Sequence, residues 1–116
     1  MIPAGKNFHF EVGITDSQKT KRRLIFHSGA KEMVINPLHA RIPISEFSRN
    51  TWLNLSIDVF SFAQYCFKGA LIRSLDFLCV TASCKVRKIF TMRSPIMEED
   101  LESNSGLICA MEEYIA

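Results

Sequence analysis

The chain has 116 residues, of which 47% are hydrophobic and 22% charged, with a formal net charge of +2. One hydrophobic core fits that length, so two separate domains are excluded, and the composition is far from the apolar-poor, highly charged balance of disordered chains. Met1-Ile2-Pro3-Ala4-Gly5-Lys6 lacks the basic flank and apolar run of a secretory signal. The richest apolar stretch, 57–67, is broken by Asp58, Ser61 and Gln64 and is too short for a hydrocarbon core of about 30 Å. A cytoplasmic setting without membrane contact is therefore expected.

Residues 1–94 hold all 14 lysines and arginines against 6 acids, whereas 95–116 hold 6 acids and no base. The first segment reads as a partial folded domain and the second as an acidic, flexible tail. Four cysteines stand at 66, 79, 84 and 109, with no Cys-x-x-Cys pair and no His at ligand spacing. Buried free thiols are expected, with no zinc, disulfide or other cofactor.

Phe8, Phe10, Val12 and Ile14 alternate with His9, Glu11 and Gly13, the period of two of a half-buried strand. Turn-forming residues 15–19 follow, and 20–28 returns as the second arm of a hairpin. From Pro37 through Pro43 to the next residue, Leu38, Ala40, Ile42 and Ile44 lie on one side of a short run. Its two prolines lack ladder donors and predict an edge strand. Leu53, Leu55 and Ile57 alternate in a third strand, with Trp52 as a core or core-edge anchor.

Asp58 is a helix cap, and Val59, Phe62, Ala63, Cys66 and Phe67 share one helical face before Gly69. This short crossover helix, 58–68, needs a sheet to pack on. The most apolar segment, 71–82, has Leu75, Phe77 and Cys79 on one face and Leu78 and Val80 on the other, which predicts a central strand covered on both sides. A turn near Ala82-Ser83 leads into a last β-compatible segment, 84–92. In the tail, Glu98–Glu102 and Leu107–Tyr114 carry weak helical spacing. The expected class is mainly β and mostly antiparallel, with one short helix.

Two basic clusters are candidate contact residues for an acidic partner: Lys21, Arg22 and Arg23 beside Lys19 on the second strand, and Lys85, Arg87 and Lys88 on the last. The competing reading is a solvated strand face with lysines that protect an edge. Neighbouring residues on a strand also point to opposite faces, so neither cluster lies wholly on one surface. No helix-turn-helix, zinc finger or paired aromatic platform points to nucleic acid. The sequence contains no Gly-x-Ser-x-Gly elbow, phosphate-cradling glycine loop or His-Glu-x-x-His helix, so no catalytic residues and no enzymatic activity are expected. His9, His27 and His39 read as hydrogen-bonding surface residues.

Seven segments, in this order, carry a resemblance over about 8–93. They are Phe8-His9-Phe10-Glu11-Val12, Lys21-Arg22-Arg23-Leu24, Pro37-Leu38-His39-Ala40-Arg41-Ile42-Pro43, Trp52-Leu53-Asn54-Leu55-Ser56-Ile57-Asp58, Phe67-Lys68-Gly69-Ala70, Ser74-Leu75-Asp76 and Cys84-Lys85-Val86-Arg87-Lys88-Ile89-Phe90-Thr91. The set resembles the cilia- and flagella-associated protein 20 domain family. The resemblance implies a jelly-roll-type β-sandwich with a short helix, acting without catalytic residues in axonemal or centriolar microtubule assemblies. It also implies that the chain corresponds to the C-terminal part of the domain, since the family's domain begins well upstream.

The leading expectation is a non-catalytic scaffold of cilia or flagella whose partners are tubulin or doublet-microtubule proteins, contacted through the two basic clusters. An uncovered sheet face is a further route to association if upstream strands are missing. The alternative is a jelly-roll-type module that binds carbohydrate or another ligand, for which Trp52, Tyr65 and Tyr114 form no evident platform.

Overall fold

The structure is a computed structural model that describes residues 1–2, 5, 7–44, 50, 52, 54–81, 84–89 and 91, together with the backbone of 106–109. Among them are the strands β1 (His9–Asp16), β2 (Lys21–His27), β3 (Val34–Ile35), β4 (His39–Pro43) and β5 (Asn54–Ile57). Helix α1 (Val59–Cys66), β6 (Ile72–Val80) and β7 (Gly106–Cys109) complete the order, and the chain is mainly β. Five strands form one sheet in the order β3-β4-β2-β1-β6, and β5 and β7 form a separate parallel pair.

Alternation in β1 and β2 sorts the side chains as the sequence predicts. Phe10 lies opposite Phe26 and Val12 opposite Leu24, all four buried on the inner face, while His9, Glu11, Arg23 and His27 face outward. Helix α1 covers this inner face. Its cap is Asp58, whose Oδ1 accepts the Ser61 N–H at 3.2 Å, and Gly69, at φ +82°, turns the chain out beyond it. Of the apolar face read from the sequence, Phe62, Ala63, Cys66 and Phe67 are buried against the sheet and Val59 is half-buried at the margin of the core. The Phe10 and Phe26 rings stack at 4.8 Å, and Phe62 meets Phe26 edge-on at 5.0 Å. Leu55 and Ile57 of β5 pack at the margin of the same core.

Several expectations are corrected. The sheet is mixed, because β2 and β4 run parallel while β1–β2, β1–β6 and β3–β4 are antiparallel. Residues 28–38 make the crossover and lay down β3 on the way. Strand β4 therefore sits between β3 and β2 and is no edge; Pro43 is tolerated because β3 pairs only with Arg41 and Ala40 and leaves the Pro43 end open. Strand β6 is not central. It ends the sheet order and pairs with β1 through two register irregularities, at Gly13/Ile14 and Thr15/Asp16. Leu75 and Phe77 are 43% and 45% exposed, in contrast to 2–5% for Phe8, Phe10, Val12 and Ile14.

The described part of the last basic segment, 84–89 and 91, forms neither helix nor strand, so the expected strand over 84–92 is absent there. Its backbone is tied instead to the chain start, where the Lys85 N–H donates to Met1 O at 2.8 Å. Residues 107–109 are strand and not helix, since pairing with β5 supplies the backbone partners. Trp52 is 46% exposed and anchors no core. Of the thiols, Cys66 is buried, Cys84 half-buried and Cys79 exposed. Burial pushes the Cys66 thiol up to about 11. Leu53, the Ala82-Ser83 turn and Glu98–Glu102 lie outside the described residues.

The hairpin turn is organised by one buried carboxylate. Asp16 Oδ1 accepts the N–H groups of Gln18 and Thr20, each at 2.9 Å, and Oδ2 accepts Arg22 Nε at 3.1 Å. Lys19 takes φ +65° to close the turn. The Thr20 N–H above all, then the Arg22 guanidinium and the Gln18 N–H, hold the Asp16 carboxyl below its ordinary range against the opposing effect of burial. Arg22 also donates from Nη1 to the Pro37 carbonyl and lies 5.1 Å over the Phe67 ring. One guanidinium thus joins the hairpin, the crossover and the helix end.

Truncating Phe62 to Ala is expected to cost about 3–5 kcal/mol in urea unfolding. Phe60→Ala, on the exposed helix face, should stay within about 0.5 kcal/mol. Because the native pKa of Asp16 lies below its unfolded value, its contribution is complete above the unfolded carboxylate range and is lost as pH falls through the native value. Melting temperatures between pH 2 and 7 should therefore fall less steeply on the acid side for Asp16→Asn than for the parent chain.

Candidate functional site

The outer face of the five-stranded sheet and the segment after β6 carry the charged residues singled out in the sequence. Alternation places Lys21 and Arg23 outward and Arg22 inward. Lys21 and Arg23 are exposed, opposite Thr15 and Gly13 of β1. Arg23 reaches diagonally to Glu11, Nη1 to Oε2 at 3.3 Å. At such exposure this pair holds the side chain loosely. Arg22 is engaged by Asp16, Pro37 and Phe67 on the inner side, where it positions the hairpin and does not face outward.

Strand β4 adds an exposed cation that sequence spacing did not select. Arg41 lies opposite Ile25 in the parallel register and continues the outward row of Lys21 and Arg23. Its outward alternation with His39 was legible; its place beside β2 was not, because a parallel neighbour is set by the crossover. Beyond β1, the outward row meets Asp76 of β6. That carboxylate accepts the Thr15 hydroxyl and, at 2.7 Å, the Ser74 hydroxyl. The Thr15 bond first, then the Ser74 bond and the nearby Lys21 charge, keep its pKa low. The Phe77 ring lies against Gly13, where an added Cβ would come within 2.0 Å of it. Gly13 therefore lets the ring lie flat across β1.

Lys85, Arg87 and Lys88 are all exposed. The structure does not join them to the first cluster. Thr81 N–H donates to His9 O at 3.1 Å, so the chain leaves β6 at the His9 end of β1, whereas Lys21 pairs at the other end. At about 3.3 Å per residue the strand between these ends rises roughly 23 Å. No acidic residue occurs from Phe77 to Met97, so the sequence around the second cluster is uniformly basic or neutral. Two cationic areas result: a row on the sheet's outer face, mixed with Glu11 and Asp76, and an irregular segment dense in positive charge beside Val86 and Ile89, both exposed.

Two shallow depressions flank the helix end. The larger, of about 490 Å³, is lined by Arg22, Ile35, Asn36, Pro37, Tyr65 and Lys68 among others. Tyr65 is the one exposed aromatic among the described lining residues. Among the described residues no group of three His, Cys, Asp or Glu is placed to hold a metal ion, and no helix is long and apolar enough to cross a membrane.

A family model described as the CFA20 domain matches residues 1–108, a span that contains the whole five-stranded sheet, the helix and most of β7. The family's name associates it with cilia and flagella. By that match, over nearly its full length, the chain belongs to the CFA20 domain family.

Proposed function

We propose that this chain is a non-catalytic, microtubule-associated structural protein of cilia or flagella, positioned in the cytoskeleton of the axoneme or centriole. The observation that carries the reading is the exposed cationic segment Lys85–Lys88 in an acid-free stretch, on a chain of a cilia- and flagella-associated family. Microtubule surfaces are strongly acidic, and clustered cations attached to a rigid sheet steer association and set register with such a surface. Lys21, Arg23 and Arg41 form a second contact row, and Arg22 acts by holding the turn that presents them.

The edge of the sheet supports an assembly role independently. Among the described residues no strand pairs with the second side of β6, and the side chains of Leu75, Phe77 and Leu78 are exposed. An edge of that kind pairs with an extended strand of a neighbour. Its two register irregularities and the charges of Arg73 and Asp76 temper indiscriminate pairing.

Co-sedimentation with doublet microtubules at low salt tests the cationic mechanism. Replacing Lys85, Arg87 and Lys88 together by Gln is expected to weaken binding roughly 3- to 150-fold, at about 0.2–1 kcal/mol for each exposed charge, and to flatten the salt dependence. Binding by the parent chain that is indifferent to salt and to these substitutions rules the mechanism out. In the assembled state, amide exchange along β6 should slow relative to the free chain; unchanged exchange there would remove the edge from the interface.

A further inference from the structure

The end of the β1–β2 hairpin away from its turn is closed by two histidines. His9 and His27 are directly opposite in the ladder, and their rings stack in parallel, 5.1 Å apart and 4° from coplanar orientation. His27 Nδ1 accepts the N–H of Gly29 at 2.8 Å, which fixes the ring proton on Nε2. Space around the next turn is tight: a Cβ on Gly29 would come within 2.9 Å of the His27 ring. The same corner ties down the start of the core. Phe8 N–H donates to Ser28 Oγ, and Ser28 N–H donates to Phe8 O, both at 2.8 Å. Phe8 is buried, with its ring 5.7 Å from that of Phe10.

We propose that the stacked His9–His27 pair, with the Gly29 amide bonded to His27 Nδ1, is a proton-operated latch: a proton on His27 releases residues 28–30 and with them the Phe8 corner of the core. The mechanism is local. A proton added at Nδ1 turns the acceptor of the Gly29 N–H into a second donor, so the bond is replaced by a repulsive contact. The new charge meets positive groups on both sides. Arg41 lies diagonal to it on β4, opposite Ile25, and the His9 ring stacks on it at 5.1 Å from β1, so the new charge adjoins a guanidinium and a second imidazole. Glu11, two residues along β1 from His9 on the same face, is engaged by Arg23.

Burial first, then His9 and then Arg41, hold the His27 pKa below its ordinary value. The unfolded or opened chain therefore binds the proton more readily than the closed one. Latch stability is complete above the ordinary imidazole range and is lost as pH falls through the native value of His27. The device lies at the end of the sheet from which the Lys85–Lys88 segment departs, since Thr81 is bonded to His9. It does not depend on what that segment binds.

A pH titration of the full chain by NMR, following the His27 ring and the Gly29 amide between pH 8 and 5, tests the latch. Expected is a single shared transition below the ordinary imidazole range, accompanied by at least tenfold loss of Gly29 amide protection after correction for the intrinsic exchange rate. His9→Gln and Arg41→Gln should each move the His27 midpoint upward. A Gly29 amide that keeps its protection while His27 titrates overturns the proposal, as does a midpoint that neither substitution moves. Should a variant fail to fold, the parent-chain comparison of the two transitions decides alone.

Discussion

Contact between three aromatic rings, Phe10 on β1, Phe26 on β2 and Phe62 on α1, holds the structure together. A two-stranded hairpin is marginal in water, and a helix the length of α1 is unstable alone. Each becomes stable by burying its apolar face on the other. Phe26 is the middle ring, stacked on one neighbour and met edge-on by the other, in offset and perpendicular arrangements that suit the aromatic quadrupole. All the outward positions inherit their direction from this contact. Once Phe10, Phe26 and Phe62 are inside, alternation puts His9, Glu11, Arg23 and His27 outside.

Arg22 shows how one charge serves the frame when its neighbours serve the surface. It sits between Lys21 and Arg23 in sequence, yet strand pleating turns it toward Asp16, the Pro37 carbonyl and the Phe67 ring. The Asp16 carboxylate has already accepted two turn N–H groups, so the guanidinium completes a polar node at the margin of the core and leaves no buried donor stranded. The node fixes the geometry of the turn, and that in turn fixes where Lys21 and Arg23 stand.

The opposite margin of the sheet is open. Inner-face positions continue past β1 onto β6, where Leu75 and Leu78, opposite Ile14 and Val12, stay exposed beside the buried core. An accessible apolar edge of this kind is where the proposed assembly role would act. The cationic segment follows this same strand, with Lys85 bonded to Met1 at the chain start.

Alternating and helical periods alone determined the hairpin, β5, the Asp58-capped helix and the inward stripe of Phe8, Phe10, Val12 and Ile14, because each of these shows as a short repeat of apolar positions along the chain itself. The ordered segments also disclosed the family. What only the tertiary structure decided was neighbourhood. The apolar run 72–80 has the pattern of a covered central strand, yet it ends the sheet, because burial depends on which elements lie across from it and not on its own hydrophobicity. The parallel place of β4, the inward role of Arg22, the separation of the two basic clusters and the stacking of His9 on His27 are likewise set by register between distant segments, and no local period encodes register.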